Sequence, residues 1–227
     1  MMELSSYHLQ LAITEALRAS RDWIELSRDE IQITNSLKSS MFCTQIGKQL
    51  APYFKNGTTK RQITVSEDNG ERVGGEWLLD IVWTEDERRD AGEHRGLMPR
   101  RIRCAVECES STSGHEFFKD FAKLLNVRSS TKIFLGGLNQ LTEAAAEDYM
   151  VRRVREASQY VRDYDGNSDG TNWYIGFWPS PKGTVTSSLW DTLDSMPHLT
   201  RANVYHYDVQ EKKFMQYTPS VATADLA

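Results

Sequence analysis

Glu107 and Glu109 stand one residue apart near the end of an otherwise apolar run, Ile102-Arg103-Cys104-Ala105-Val106-Glu107-Cys108-Glu109-Ser110, and an earlier apolar run over residues 77–83 carries a single acid, Asp80. Strand side chains alternate between the two faces of a sheet, so Glu107 and Glu109 point the same way, about 7 Å apart along the backbone, with Val106 and Cys108 on the other side. If the two strands are neighbours, about 4.8 Å apart, Asp80 joins them. Carboxylates crowded onto one sheet surface repel each other and lose hydration, and a bound cation is the simplest compensation. Oxygen ligands suit a hard divalent ion such as Mg²⁺, which takes one or two carboxylates and keeps part of its water shell. His94, His115, His198 and His206 show no metal-ligand spacing, so zinc is not expected.

The elements that must position these acids follow from hydrophobic spacing. Leu9, Ile13, Leu17 and Ile24 recur at helical intervals over residues 7–26, and Leu37, Phe42, Ile46 and Leu50 do so over 35–54, before a stop at Asn56-Gly57. Residues 62–65 read as a strand, and Asp68-Asn69-Gly70 as the turn that folds the chain back into the strand ending near Glu85. The charged, aperiodic stretch 84–101 reads as an exposed loop. After the doubly acidic strand, Phe117, Phe118, Phe121, Leu124 and Leu125 form the apolar face of a helix over 115–127, and 132–135 is a short apolar strand. A long helix is expected over 141–163, a loop at 165–170, and strands at 173–178, 202–208 and 213–217. A helix between strands makes a right-handed crossover, so the acidic strand and the strand at Ile133 should be parallel.

This order of elements, with Asp80 and Glu107-Cys108-Glu109 in it, resembles the PD-(D/E)XK, or restriction-endonuclease-like, nuclease superfamily over about residues 63–138. The resemblance implies an α/β fold with a central mixed sheet flanked by helices on both faces. Length and composition suggest one domain over 1–227, with a helical part at 1–57, a nuclease-like core at about 61–138, and a C-terminal helix and strands at 141–217. In that family an Asp of the second strand and the acid opening an acid-x-Lys triplet in the third bind Mg²⁺ at the scissile phosphate; the matching positions are Asp80 and Glu107, with the Cys108 backbone carbonyl as a further ligand. Mn²⁺ is the expected substitute.

The triplet here ends in Glu109 rather than Lys, and Leu79 stands where the family name has proline. Some members carry Glu-x-Glu, and a few bring the lysine from the next helix. Lys119 and Lys123 lie four apart there, and Lys119 is the nearer candidate for a catalytic role. Glu109 is then a second metal ligand or a general base.

At 227 residues, with 39% hydrophobic and 26% charged residues, the chain has material for one sizeable core and shows no sign of disorder. A net charge of −5 argues against indiscriminate coating of polyanions, so a grip on nucleic acid must be local. Arg100, Arg101 and Arg103, with Arg88, Arg89 and Lys123, are the candidates; charge balance against Glu85, Asp86, Glu87 and Asp90 is the other reading of the arginines. An odd cysteine count, with Cys104 and Cys108 unable to bridge each other, points to a reducing, cytoplasmic setting, and no segment resembles a leader or a membrane span. The expected activity is Mg²⁺-dependent endonuclease action on DNA in preference to RNA, with a homodimer as the expected assembly. The alternatives are a catalytically silent nuclease-fold protein that binds nucleic acid or another protein, and a hydrolase of small phosphoesters.

Overall fold

The computed structural model describes residues 3–54, 58–62, 64–66, 68, 70–73, 78–89, 96–164, 170–182 and 189–218. Two amphipathic helices open the chain, α1 (Ser6–Ser27) and α2 (Asn35–Leu50), each capped by a hydroxyl, Ser5 and Thr34, that accepts a first-turn N–H. A single 3₁₀ turn, Ala51–Phe54, follows α2. Next come β1 (Thr58–Gln62), the short hairpin β2 (Thr64–Val65) and β3 (Arg72–Val73), then β4 (Ile81–Arg89) and β5 (Gly96–Glu109). The remainder is α3 (Gly114–Leu125), β6 (Ser129–Leu138), α4 (Glu143–Asp163), β7 (Asn172–Pro179), a 3₁₀ helix (Leu189–Ser195), α5 (Pro197–Thr200), β8 (Asn203–Asp208) and β9 (Lys213–Gln216).

Seven strands form one mixed sheet in the order β1-β4-β5-β6-β7-β8-β9. β1, β4 and β5 run antiparallel in turn, β5, β6 and β7 are parallel, and β8 and β9 return antiparallel. The expected parallel pairing across α3 is therefore present. One face is covered by α1 and α2: Ile13 of α1 lies where a Gly176 side chain would be, and Phe42 of α2 stacks on Trp178 at 3.9 Å. The other face is covered by α3 and α4, through Phe117 against Phe134 and Tyr149 against Phe177. The fold is thus α/β, a mixed sheet with helices on both faces, and it fits a restriction-endonuclease-like core.

Four expectations need correction. Asp80 does not lie inside a strand: residues 78–80 form a bend, β4 begins at Ile81, and Leu78 is 52% exposed, so the acid is not enclosed in apolar side chains. The stretch 84–101 is not a loop, because β4 and β5 continue through it as a long hairpin; only residues 90–95 fall outside the described residues. Cross-strand ion pairs, Glu85 with Arg101 and Arg103, hold it, and their charges are what masked the strand period. The strand expected at 62–65 is split between β1 and β2, which belong to different sheets. The turn at 68–70, with Gly70 at φ +71°, leads into β3 rather than directly into the strand carrying Glu85. The helix stop at Asn56-Gly57 lies outside the described residues.

Gly137 fixes where the chain leaves β5. A side chain there would meet the Ser110 carbonyl oxygen at 2.6 Å, backbone against side chain with nothing flexible to yield. Gly137→Ala is therefore expected to push Ser110 and the end of β5 aside at a cost of about 2 kcal/mol, measurable by urea unfolding.

Candidate active site

The alternation of β5 places Glu107 on the face covered by α3, level with Phe134 of β6, where it is 1% exposed. Its Oε2 accepts a hydrogen bond from Lys123 Nζ at 3.2 Å, and the same ammonium lies 2.9 Å from Asp120 Oδ1, one turn earlier on α3. The other oxygen, Oε1, is buried with no hydrogen-bond partner among the described residues. Burial first, and then the charge of Asp80, push the Glu107 carboxyl up to about 9, although Lys123 pulls the other way. One ammonium is shared by two carboxylates, and it does not neutralise the group. Lys123 itself is shifted upward, because Asp120 and Glu107 together outweigh its burial.

Asp80, at the bend before β4, lies across from Glu107 by extension of the Ile81–Val106 register. Its Oδ2 accepts the Cys108 N–H at 2.7 Å, which pins the carboxylate at the rim of the sheet. There it borders a cleft of about 250 Å³ together with Ser36, Ser40 and Cys43 of α2, Ser110 and Lys182. Cys108 itself pairs in register with Leu135, so its carbonyl, the further expected ligand, belongs to the stretch of β5 that borders β6. Glu109, two residues on from Glu107, accepts the Ser111 N–H. Burial and a hydrogen bond shared with Asp120 raise its carboxyl to about 7, against the opposing pull of the Ser111 N–H and Lys182.

Glu107, Glu109, Asp120 and Lys123 thus come together under α3, while Asp80, whose charge reaches Glu107, sits at the rim of the sheet beside the α2 cleft. Lys119 does not join them: it is 60% exposed and pairs with Glu116 at 3.0 Å on the outer side of α3. Lys123, expected at a nucleic-acid surface, is the lysine against the carboxylates. Arg101 and Arg103 are both engaged by Glu85, at 2.7 and 3.4 Å, and Arg100 is exposed on the same ribbon. Asp120 went unnoticed in the sequence; its spacing of three from Lys123 was the available signal. All three cysteines are free thiols. No helix among the described residues is long and apolar enough to cross a membrane.

Among the described residues no three His, Cys, Asp or Glu side chains gather as a metal-holding group. The charge of Asp80 reaches Glu107, and the two would offer a set of one or two carboxylates completed by water, of the kind Mg²⁺ accepts. No family model matches the chain, and neither a curated protein nor a solved structure matches it.

Proposed function

We propose that this chain is a metal-dependent endonuclease of the PD-(D/E)XK type that hydrolyses phosphodiester bonds in DNA. The observation that carries the proposal is the buried Glu107 oxygen that has no hydrogen-bond partner among the described residues, where Glu109, Asp120 and the charge of Asp80 outnumber Lys123. A carboxylate left so costs stability unless it is protonated or meets a cation. Asp80 and Glu107 would hold Mg²⁺, or Mn²⁺ in its place. When bound, that ion supplies charge stabilisation at the phosphoryl oxygens and a more acidic water.

The remaining steps belong to the chain's own groups. Glu109, poised at about 7, takes a proton from the attacking water at neutral pH, where a general base works best. Lys123, 3.2 Å from Glu107 and held by Asp120 at 2.9 Å, takes the part of the absent triplet lysine and steadies either the phosphate or the nucleophile. Asp80 is oriented by the Cys108 N–H, so its donor oxygen does not need to be reordered on binding.

Cleavage of single- and double-stranded DNA and of RNA, with Mg²⁺ or Mn²⁺ and beside Asp80→Ala, tests the proposal. Metal-dependent DNA cleavage that falls by about a thousandfold in Asp80→Ala is the expected result, on the scale of losing one charge-stabilising group. Cleavage indifferent to the metal or to the substitution would discard it. Binding of DNA without cleavage would favour the silent nuclease-fold module.

A further inference from the structure

Cys43 of α2 and Cys108 of β5 are far apart in the chain, yet both line the cleft of about 250 Å³ that Asp80 borders. Their thiols share a hydrogen bond, so the two sulfurs are already in contact. Both residues are half-buried, whereas Cys104, the third free thiol, is fully enclosed. Strand alternation puts Cys104 and Cys108 on one face of β5, but four residues separate them by about 13 Å, beyond the reach of a bridge. Among the three cysteines of the chain, Cys108 therefore has a single possible partner, and it is the one it touches.

The elements that present the two thiols are held firmly. Phe42, the neighbour of Cys43, stacks on Trp178 at 3.9 Å, and β5 lies between β4 and β6 in the middle of the sheet. A bridge would shorten an existing contact rather than carry two elements together, and positioning of this kind makes it an intramolecular step. The Cys108 side chain takes no part in the carboxylate chemistry, but its backbone does, because the Cys108 N–H holds Asp80 Oδ2 at 2.7 Å. A change at the Cys108 sulfur thus reaches the acid through one residue.

We propose that Cys43 and Cys108 form a reversible dithiol–disulfide switch, closed by a peroxide and reopened by a thiol reductant, that ties α2 to β5 inside the cleft beside Asp80. One thiolate attacks hydrogen peroxide; an S–O bond forms, the O–O bond breaks, and a sulfenic acid and hydroxide result. The second thiol then attacks that sulfur, the S–S bond forms, the S–O bond breaks, and the hydroxyl leaves as water with the second thiol's proton. Two electrons pass from the thiols to the peroxide. The hydroxide takes up the proton released by the first thiol, so two waters form for each bridge. A dithiol reductant returns two electrons and two protons by exchange. The bridge occupies the cleft from which Asp80 is reached, and cleavage slows. That last consequence rests on the nuclease reading; the bridge does not.

The test treats the folded protein with hydrogen peroxide, then unfolds it and blocks every remaining thiol with N-ethylmaleimide. Trypsin with a glutamate-specific protease, which cuts after Glu107, parts Cys104 from Cys108 for mass spectrometry. A peptide joining Cys43 to Cys108 is expected, with Cys104 carrying the maleimide and the bridge lost in dithiothreitol. DNA cleavage by the peroxide-treated protein is expected to slow at least tenfold and to recover with the reductant. Cys43→Ser is expected to form no bridge and to cleave at one rate before and after peroxide.

Both thiols left open to maleimide, a sulfinic acid at either one without a bridge, or a bridge only between two chains would overturn the switch. So would a bridge that forms while cleavage continues unchanged. A reversible Cys43–Cys108 bridge in a protein that cleaves nothing upholds the dithiol pair while the nuclease reading fails. Should Cys43→Ser not fold, the wild-type peptide map and its reversal by dithiothreitol decide.

Discussion

Glu107→Gln is expected to abolish metal-dependent cleavage while making the protein harder to unfold at alkaline pH. In the folded chain the Glu107 carboxyl is pushed up to about 9 by burial and by Asp80, against an ordinary value of 4.5. Between those values the folded state holds a proton that the unfolded state has released, so stability falls as pH rises through this window and is flat below it. Glutamine fills the same volume, accepts from Lys123 and cannot ionise. At pH 8 the variant should exceed the wild type by about 3 kcal/mol, a value on the scale of one buried carboxylate. The two should converge near pH 5, where Glu107 is already protonated in the fold. Adding Mg²⁺ should recover wild-type stability by mass action and leave the variant unmoved. Cleavage should fall by about a thousandfold or more. Urea unfolding across pH, with and without Mg²⁺, reads every part of this.

Lys123→Met should be the most damaging single change at the site. It removes the ammonium shared by Glu107 and Asp120, at 3.2 and 2.9 Å, and leaves two carboxylates, one of them 1% exposed, facing each other. Breaking a fully buried pair from one side costs about 3–5 kcal/mol, and because Lys123 retains 27% exposure a loss of about 2–3 kcal/mol is expected. The loss should be greatest at alkaline pH, where both acids are ionised, and cleavage should fall with it. Lys119→Met, on the outer side of α3, should unfold and cleave as the wild type does. The reverse ranking would restore Lys119 as the working lysine.

The contrast between the two lysines shows what the sequence could and could not convey. Five aromatic and leucine residues announced α3 and its buried stripe, and at about 100° per residue Lys119 falls nearly opposite that stripe. Lys123 falls only about 40° from Lys119, with Asp120 on the flank, and which lysine reaches the carboxylates depends on how α3 sits over β5 and β6, a tertiary fact without a local signature. Glu107 and Glu109 were legible because period-two alternation fixes a shared face whatever the surroundings. Asp80 was legible as a candidate, but its bend was not, because the Cys108 N–H that holds it comes from another strand.

The hairpin of β4 and β5 was hidden by the same cause: Glu85, Arg101 and Arg103 look like a solvated loop until paired across strands. The 3₁₀ helix Leu189–Ser195 and α5 carry too few residues for periodicity to speak.

The whole functional account depends on Asp80 and Glu107 sharing one ion. A crystal soaked in Mn²⁺ and measured for anomalous scattering tests that directly. The account predicts a single strong peak bridged by an Asp80 oxygen and the now unpaired Glu107 Oε1, with water completing the shell. A peak held by neither carboxylate, or Glu107 still protonated and bound only to Lys123 beside an ion-free Asp80 at saturating Mn²⁺, would contradict it.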